Sequence, residues 1–308
     1  MRRVVVGTRG SALALAQTEE VLAKLRAAHP DVEFEVKVIK TAGDEHPYRP
    51  LTGFKRRGIF ERGLDRAVAR GDVDFAVHSM KDVPTVLPAG LAIAAVPERA
   101  PPNDVLVSRD GLSLSELPTS AVVGTGSPRR AAMTLRARPD VVVRPVRGNI
   151  DTRLKKLDAG ELDAVIVAEA GLLRLGVVDR ITDRLDVRRF TPMPGQGALA
   201  VTCRADDGEV ASFLSPANDE ASLSAQLAER SFLAHLGAGC RVPIGGLCQL
   251  EANAPRLKML ATGLTPDGTE CWSVELEGDR GSPEELGARV AAALKREVGG
   301  GWLEALGS

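Results

Sequence analysis

Aromatic residues make up only 3% of this 308-residue chain, and its net charge is −1 although 26% of its residues are charged. Few aromatic rings means few platforms for stacking bases. A balanced charge leaves no broad basic field to attract nucleic acid. Cysteine and histidine number four each, and neither falls into CxxC or HxxxH spacing. A metal site is therefore not expected, and Cys203, Cys240, Cys248 and Cys271 are too few for a disulfide framework. No apolar run is long enough to span a membrane, and Met1-Arg2-Arg3-Val4-Val5-Val6-Gly7 enters a strand without the apolar core of a signal peptide. A cytoplasmic protein with neither a membrane nor a nucleic-acid partner is expected. No coiled-coil heptad or long apolar stripe argues against a monomer. Hydrophobic residues reach 44%, ample for packed cores, and the length suggests two or three domains.

What is present is an internal echo. Val4-Val5-Val6-Gly7-Thr8-Arg9-Gly10-Ser11 precedes a helical pattern from Ala12 to Ala28, and Ala121-Val122-Val123-Gly124-Thr125-Gly126-Ser127 precedes another from Pro128 to Arg138. Gly71-Asp72-Val73-Asp74-Phe75-Ala76-Val77 likewise resembles Gly160-Glu161-Leu162-Asp163-Ala164-Val165-Ile166-Val167, each an acidic turn feeding an apolar strand. Strands alternating with amphipathic helices predict an α/β class with largely parallel sheets in two similar lobes. Proline-rich breaks at residues 97–102 and 192–197 imply two crossings between the lobes, with a ligand cleft between them. The expected boundaries are 1–97 with a return segment 198–214 for the first lobe and 98–197 for the second. A C-terminal α+β domain is expected over 215–308: a helix near 219–236, three strands, and a last helix near 283–297. The stretch Ala42–Arg57 lacks periodicity, holds Gly43, Pro47, Pro50 and Gly53, and ends on Lys55, Arg56 and Arg57; a mobile lid is expected there.

Three features carry chemistry. Cys240 lies in Gly237-Ala238-Gly239-Cys240-Arg241-Val242-Pro243-Ile244-Gly245, a turn displayed by glycine and proline, and Arg241 beside it favours the thiolate. The strand-to-helix turns form anion sites, because free backbone N–H groups and the helix dipole favour negative charge there. Ser127 suits the N-cap and Pro128 the first helical position, with Arg129 and Arg130 beside them. Arg9 and Ser11 hold the comparable place in the first lobe, and Arg147 and Arg153 flank a further strand-to-helix passage. Arginine binds carboxylates in bidentate fashion, so five such groups on turns suggest a ligand rich in carboxylates or phosphates. In His78-Ser79-Met80-Lys81-Asp82-Val83-Pro84 the strand ends and the chain turns. Ligands of open α/β sheets sit beyond the carboxyl ends of strands, which places Asp82 as an acid, base or cation stabiliser and Lys81 as a neighbouring cation. His78 suits a satisfied structural histidine better than a general base.

Together these stretches resemble the porphobilinogen deaminase (hydroxymethylbilane synthase) family. The likeness is carried by Val77-His78-Ser79-Met80-Lys81-Asp82-Val83-Pro84, Arg147-Gly148-Asn149-Ile150-Asp151-Thr152-Arg153-Leu154, Gly195-Gln196-Gly197-Ala198-Leu199, and Ala228-Glu229-Arg230 running on to Gly239-Cys240-Arg241-Val242-Pro243-Ile244-Gly245. The resemblance implies two periplasmic-binding-protein-like lobes and a third domain carrying the cysteine. It implies a transferase that joins four porphobilinogen molecules head to tail with loss of ammonia, giving the linear tetrapyrrole hydroxymethylbilane of heme biosynthesis. It further implies a dipyrromethane cofactor held by a thioether to Cys240, and Asp82 as the catalytic carboxylate. Lys81, Asp82, Ser127, Arg129, Arg130 and Arg147 match positions that hold the cofactor, and Arg9, Ser11, Arg147, Arg153 and Gln196 match positions that hold substrate.

The chain departs from the family pattern at Arg57, Arg62 and Gly63, where lysine, lysine and glutamate are usual, and at Gly126 and Pro128. Gly126 lacks a hydroxyl that a serine would offer. The rival function is a non-catalytic two-lobed module that binds a polycarboxylate ligand. A third domain carrying Cys240 has no role in such a module.

Overall fold

The computed structural model describes residues 2–39, 62–237, 242–251, 254–299 and 302. Cys240, Arg241 and the whole 42–57 stretch lie outside these residues. The chain divides into two compact units, one of Met1–Arg99 with Ala198–Leu223, the other of Ala100–Gly197 with Ser224–Ser308.

The first unit is built on a five-stranded sheet of β1 (Arg2–Thr8), β2 (Val32–Val38), β3 (Phe75–Ser79), β4 (Leu91–Ala95) and β10 (Leu199–Arg204), in the order β2-β1-β3-β10-β4. The second contains β5 (Asp104–Ser108), β6 (Val122–Gly124), β7 (Val142–Arg144), β8 (Ala164–Ala168) and β9 (Asp183–Arg184), in the order β7-β6-β8-β5-β9. The two orders coincide when β1, β2, β3, β10 and β4 are set against β6, β7, β8, β5 and β9. The internal echo is therefore a repeated topology.

One contact repeats in atomic detail. Asp74 Oδ2 accepts from Val5 N at 2.7 Å while Asp74 N donates to Val5 O at 2.8 Å. Asp163 Oδ2 accepts from Val122 N at 2.7 Å while Asp163 N donates to Val122 O at 2.9 Å. Each acidic turn thus uses its carboxylate to complete the hydrogen bonding of the strand beside it.

In each sheet one strand runs against the others. β10 is antiparallel to β3 and β4, and β5 is antiparallel to β8 and β9, whereas the β1–β2, β1–β3, β6–β7 and β6–β8 pairs are parallel. Both reversed strands directly follow a proline-rich crossing. The chain enters each sheet there from a loop and not from a crossover helix, so no right-handed βαβ passage sets the direction.

Helices follow the strands where the apolar spacing requires. α1 (Ala12–Ala28) buries Val21, Leu22 and Leu25 against β1 and β3, and α2 (Arg62–Ala69) buries Leu64 and Val68. In the second unit the corresponding helices are α3 (Pro128–Ala137) and α4 (Ile150–Asp158), with a short α5 (Glu169–Arg174) after β8. α6 (Gly208–Leu214) and α7 (Glu220–Leu236) follow β10.

The C-terminal α+β part of the second unit is an antiparallel sheet of β11 (Ile244–Leu250), β12 (Arg256–Leu264) and β13 (Cys271–Asp279), with α7 and α8 (Pro283–Val298) over one face. Phe232, Leu257, Met259, Val290 and Leu294 are fully buried there. Burying each such side chain contributes about 1.5–3 kcal/mol.

Candidate active site

In the first unit the carboxyl ends of β1 and β3 lie side by side, because the two strands pair in parallel with Val6 opposite Phe75. Two turns therefore share one edge. The turn after β1 carries Arg9 and Ser11. Ser11 is the N-cap of α1, its Oγ accepting from Ala14 N at 3.2 Å. The turn after β3 is a single 3₁₀ turn, Met80–Asp82. It is pinned on both sides of the functional pair: Met80 and Val83 are buried, and Met80 N donates to Ala198 O at 3.0 Å. Gln17 Nε2 donates to Ser79 Oγ at 2.8 Å and ties α1 to the same end of β3. Asp82 is exposed, and its carboxylate makes no hydrogen bond or ion pair with a described residue. Lys81 beside it is half-buried.

His78 points the other way. It is buried, and its Nε2 lies 3.0 Å from Thr202 Oγ1 on β10. Burial, with a smaller effect from the Arg9 charge, pushes its pKa down from 6.5 to about 4. It is a neutral structural imidazole. In the unfolded chain it takes up a proton near pH 6.5, so its contribution to stability is complete above that pH and is lost as pH falls toward about 4. The loss by pH 4 is on the order of 3 kcal/mol. His78→Gln is expected to flatten this part of the profile, read from urea midpoints between pH 6.5 and 4. Equal slopes in the two proteins would remove His78 as the cause.

In the second unit the turn after β6 begins α3. Ser127 is its N-cap, Oγ accepting from Arg130 N at 3.4 Å, and Pro128 occupies the first helical position. Arg129 and Arg130, expected beside this helix start as ligand-binding guanidinium groups, turn inward. They are 3% and 7% exposed, and both are joined to Asp104, which is itself fully buried. Arg129 Nη1 donates to Asp104 Oδ2 and to Thr191 O, each at 2.7 Å. Arg130 Nε donates to Asp104 Oδ1 at 2.9 Å, and its Nη groups reach Ile166 O and Gln196 Oε1 at 3.2 Å. Gln196 Nε2 completes the cluster with donations to Asp104 Oδ1 at 2.8 Å and Pro102 O at 2.7 Å. Burial alone would raise the Asp104 pKa, but the charges and hydrogen bonds of Arg129 and Arg130 prevail and hold it well below the usual carboxylate range.

Asp104 was not legible as a site residue in the sequence. It begins the apolar run Asp104-Val105-Leu106-Val107, and a carboxylate leading a fully buried strand is the signal that could have found it. Asp104→Ala is expected to lower the unfolding free energy by about 3–5 kcal/mol, because it strands two buried guanidinium groups. Denaturant midpoints measure this. A loss below about 1 kcal/mol would mean that other acceptors replace the carboxylate.

Glu229 was also missed as a positioning group. It is fully buried on α7, with Oε2 accepting from Gly195 N at 2.6 Å and Oε1 from Cys248 N at 2.8 Å. It thereby fixes the loop that presents Gln196.

Arg147 and Arg153 follow β7. Arg147 is exposed, and Arg153, half-buried on α4, donates through Nε to Gly148 O at 3.0 Å. Burial, together with the nearby Arg130 charge, pushes the Arg153 pKa down to about 10. Gly126 is required by close approach: a Cβ on it would lie 2.6 Å from Val146 O.

Arg129 and Arg130 thus share the Asp104 carboxylate beneath the turn after β6, and Arg153 stands near enough to feel the Arg130 charge. Arg147 is exposed and Arg153 half-buried, so a ligand bearing several carboxylates meets positive charge on these turns, and the residues fit a dipyrromethane with its acetate and propionate groups. Among the described residues no group of histidine, cysteine and acidic side chains could hold a metal ion, and no helix is long and apolar enough to cross a membrane.

The comparisons with known proteins agree with this chemistry. Residues 4–212 match the family model of the porphobilinogen deaminase dipyrromethane cofactor-binding domain, and residues 223–296 match the model of the porphobilinogen deaminase C-terminal domain. The porphobilinogen deaminase of Acidothermus cellulolyticus is 48% identical over 295 residues, 94% of this chain and 88% of that protein. That of Desulforudis audaxviator is 46% identical over 300 residues, 97% and 96% of the two chains. That of Thermus thermophilus is 44% identical over 299 residues, 97% of each. Among solved structures, a periplasmic substrate-binding protein of an ABC transporter from Coxiella burnetii aligns at 13% identity over 69% of this chain and 91% of its own, with a TM-score of 0.41. The two-lobed fold class stands on the matching strand orders and not on that likeness. With both family models matched in order and relatives aligned from end to end, this chain belongs to the porphobilinogen deaminase family.

Proposed function

We infer that this protein joins four porphobilinogen molecules head to tail, releasing one ammonia at each step, to form hydroxymethylbilane in heme biosynthesis. Beyond family membership, one observation carries this reading. The second unit sets exposed Arg147 and half-buried Arg153 on the passage after β7, beside a buried Arg129–Arg130–Asp104 cluster. Every porphobilinogen adds an acetate and a propionate, so the ligand gains negative charge as it grows. A rival polycarboxylate-binding module would also use the arginines but would leave Asp82 and Cys240 without a task. Incubation with porphobilinogen separates the two: ammonia release with formation of a linear tetrapyrrole is expected, and binding without ammonia release would sink the enzyme.

When bound, dipyrromethane supplies the free pyrrole carbon at which the chain is extended. The protein's own groups do the rest. Cys240 holds the cofactor through its sulfur. Asp82, exposed on its pinned turn, stabilises positive charge on the pyrrole nitrogen as the amine leaves and accepts the proton released when the new bond forms. Lys81, Arg130, Ser127 and Arg147 hold cofactor carboxylates, and Arg9, Ser11 and Arg153 hold those of the substrate, while Gln196, with both amide donors committed to Asp104 and Pro102, is a positioning residue for Arg130. Arg129 serves by fixing Asp104, which in turn orients Arg130 and Gln196. The same reading makes the enzyme a cytoplasmic monomer that needs no nucleic acid, membrane or metal.

Arg153→Leu is expected to raise KM for porphobilinogen about tenfold or more, since a charge-assisted bond to a carboxylate is worth about 1.5–3 kcal/mol. Arg153→Lys should recover only part of this, because a point charge does not replace the bidentate fork. Arg147 should behave alike. Leucine and lysine variants with wild-type substrate dependence would take both residues out of the binding site.

A further inference from the structure

The second unit contains a cavity of about 670 Å³ where the last turn of α3 meets the β12–β13 hairpin and Arg188 and Arg189. The hairpin tip is set there by backbone approach. Gly268 has φ +73°, and a Cβ on it would lie 2.2 Å from Ala132 O of α3. The cavity thus lies toward the opposite end of α3 from Arg129 and Arg130.

Its charge is unbalanced. Arg136, Arg188 and Arg189 line it. Arg188 is paired, with Nη1 at 2.8 Å from Glu275 Oε2. Arg136 reaches only a backbone oxygen, Thr269 O, at 3.5 Å. The Arg189 side chain makes no hydrogen bond or ion pair with a described residue; only its backbone N is engaged, to Asp186. Asp267 is the one carboxylate among the described lining residues, and it is already committed. Its Oδ1 accepts from Thr265 Oγ1 at 2.6 Å, Thr269 Oγ1 at 2.9 Å and Thr269 N at 3.1 Å. These bonds hold its pKa below the usual range, so it stays ionised and occupied with the turn. Two guanidinium groups are left facing the cavity without a carboxylate partner among the described residues. Met133, Leu135, Ala137 and Pro139 supply an apolar wall beside them.

We propose that this cavity binds a small molecule carrying two or more carboxylates on a flat apolar ring. The volume lies in the range of small-molecule sites, about 300–1,000 Å³. Planar guanidinium forks select carboxylates. The apolar wall distinguishes a ring-borne carboxylate from a bare inorganic anion, which would leave that wall wet. The proposal does not depend on the catalytic reading.

The probe is benzene-1,3,5-tricarboxylate, titrated by calorimetry into the full-length protein with its cofactor, at low and at physiological salt. Saturable binding is expected, weaker at high salt. The double variant R136A/R189A should weaken it about tenfold or more, the loss of two charge-assisted contacts, while its melt and turnover stay at wild-type values. Arg153→Leu serves as the opposing control and should leave this binding unchanged. Pyrophosphate should bind less tightly than the ring tricarboxylate. Two results would overturn the proposal: binding lost in Arg153→Leu but kept in R136A/R189A, or no saturation of the wild-type protein below about 10 mM, a contact worth less than about 3 kcal/mol.

Discussion

Replacing Cys240 by alanine is expected to return the intact mass to that of the sequence and to abolish turnover, whereas the wild-type enzyme should exceed its sequence mass by two pyrrole units. The four cysteines are not equivalent. Cys203 and Cys248 are each 1% exposed, inside the cores of the first-unit sheet and the C-terminal sheet. Burial pushes the Cys203 thiol up, with the Asp207 charge adding to it, which makes a poor nucleophile at neutral pH. Cys271 is half-buried on β13. Cys240 falls in the connection between α7 and β11, beside Arg241, whose charge favours the thiolate. On the proposed function, the Cys240 sulfur would form a C–S bond to the exocyclic carbon of porphobilinogen as the C–N bond breaks and ammonia departs. Cys203→Ala and Cys248→Ala should keep the adduct and lose stability instead, each leaving a small cavity in a core. An adduct on another cysteine, or an active enzyme of bare sequence mass, would displace Cys240 from its role.

The repeat was legible because it rests on short-range chemistry. An apolar run ending in a glycine or small polar turn, with a cap and a helix behind it, reads the same in Val4–Ser11 and Ala121–Ser127, and the strand orders follow it. Ser127 as N-cap and Pro128 as first helical residue were visible for the same reason. The reversed direction of β5 and β10 was hidden, since an apolar strand carries no sign of its direction. What marks it is the proline-rich crossing before each, which leaves no room for a crossover helix.

The site residues divide along the same line. Those on turns announce themselves by composition. Those that act through burial do not. Asp104 meets Arg129 across 25 residues and Gln196 across 92, and Glu229 meets Gly195 across 34. Such pairs exist only once the sheets have formed. The sequence also could not show that Arg129 is a buried structural cation while Arg153 keeps a more open position, because both stand in the same kind of turn. Arg129 is held inside by Asp104 and Thr191 O, whereas Arg153 bonds to Gly148 O on its own loop.

Asp82→Asn is expected to cut kcat by a factor of at least about 100 while leaving KM and the thermal melt nearly unchanged. The expectation comes from how the turn is built. Met80 at 2% exposure and Val83 at 9% anchor it from both sides, with a backbone bond from Met80 N to Ala198 O. The carboxylate between them holds no partner among the described residues, so nothing in the fold depends on its charge. A surface change away from any such contact moves stability by about 0.5 kcal/mol or less. Its neighbour His78 cannot take over proton transfer, being buried, bonded to Thr202 and neutral through the working pH range. On the proposed function, the Asp82 charge is needed chiefly when positive charge develops on the pyrrole, a demand of the transition state. Loss confined to kcat is the kinetic sign of such a group, and a rise in KM alone would make Asp82 a binding residue instead. Asp82→Glu, which keeps the charge on a longer arm, should retain more activity than the asparagine variant. If asparagine and aspartate turn over alike, the carboxylate is not part of the chemistry, and the amine must leave with its charge stabilised by some other group of the protein.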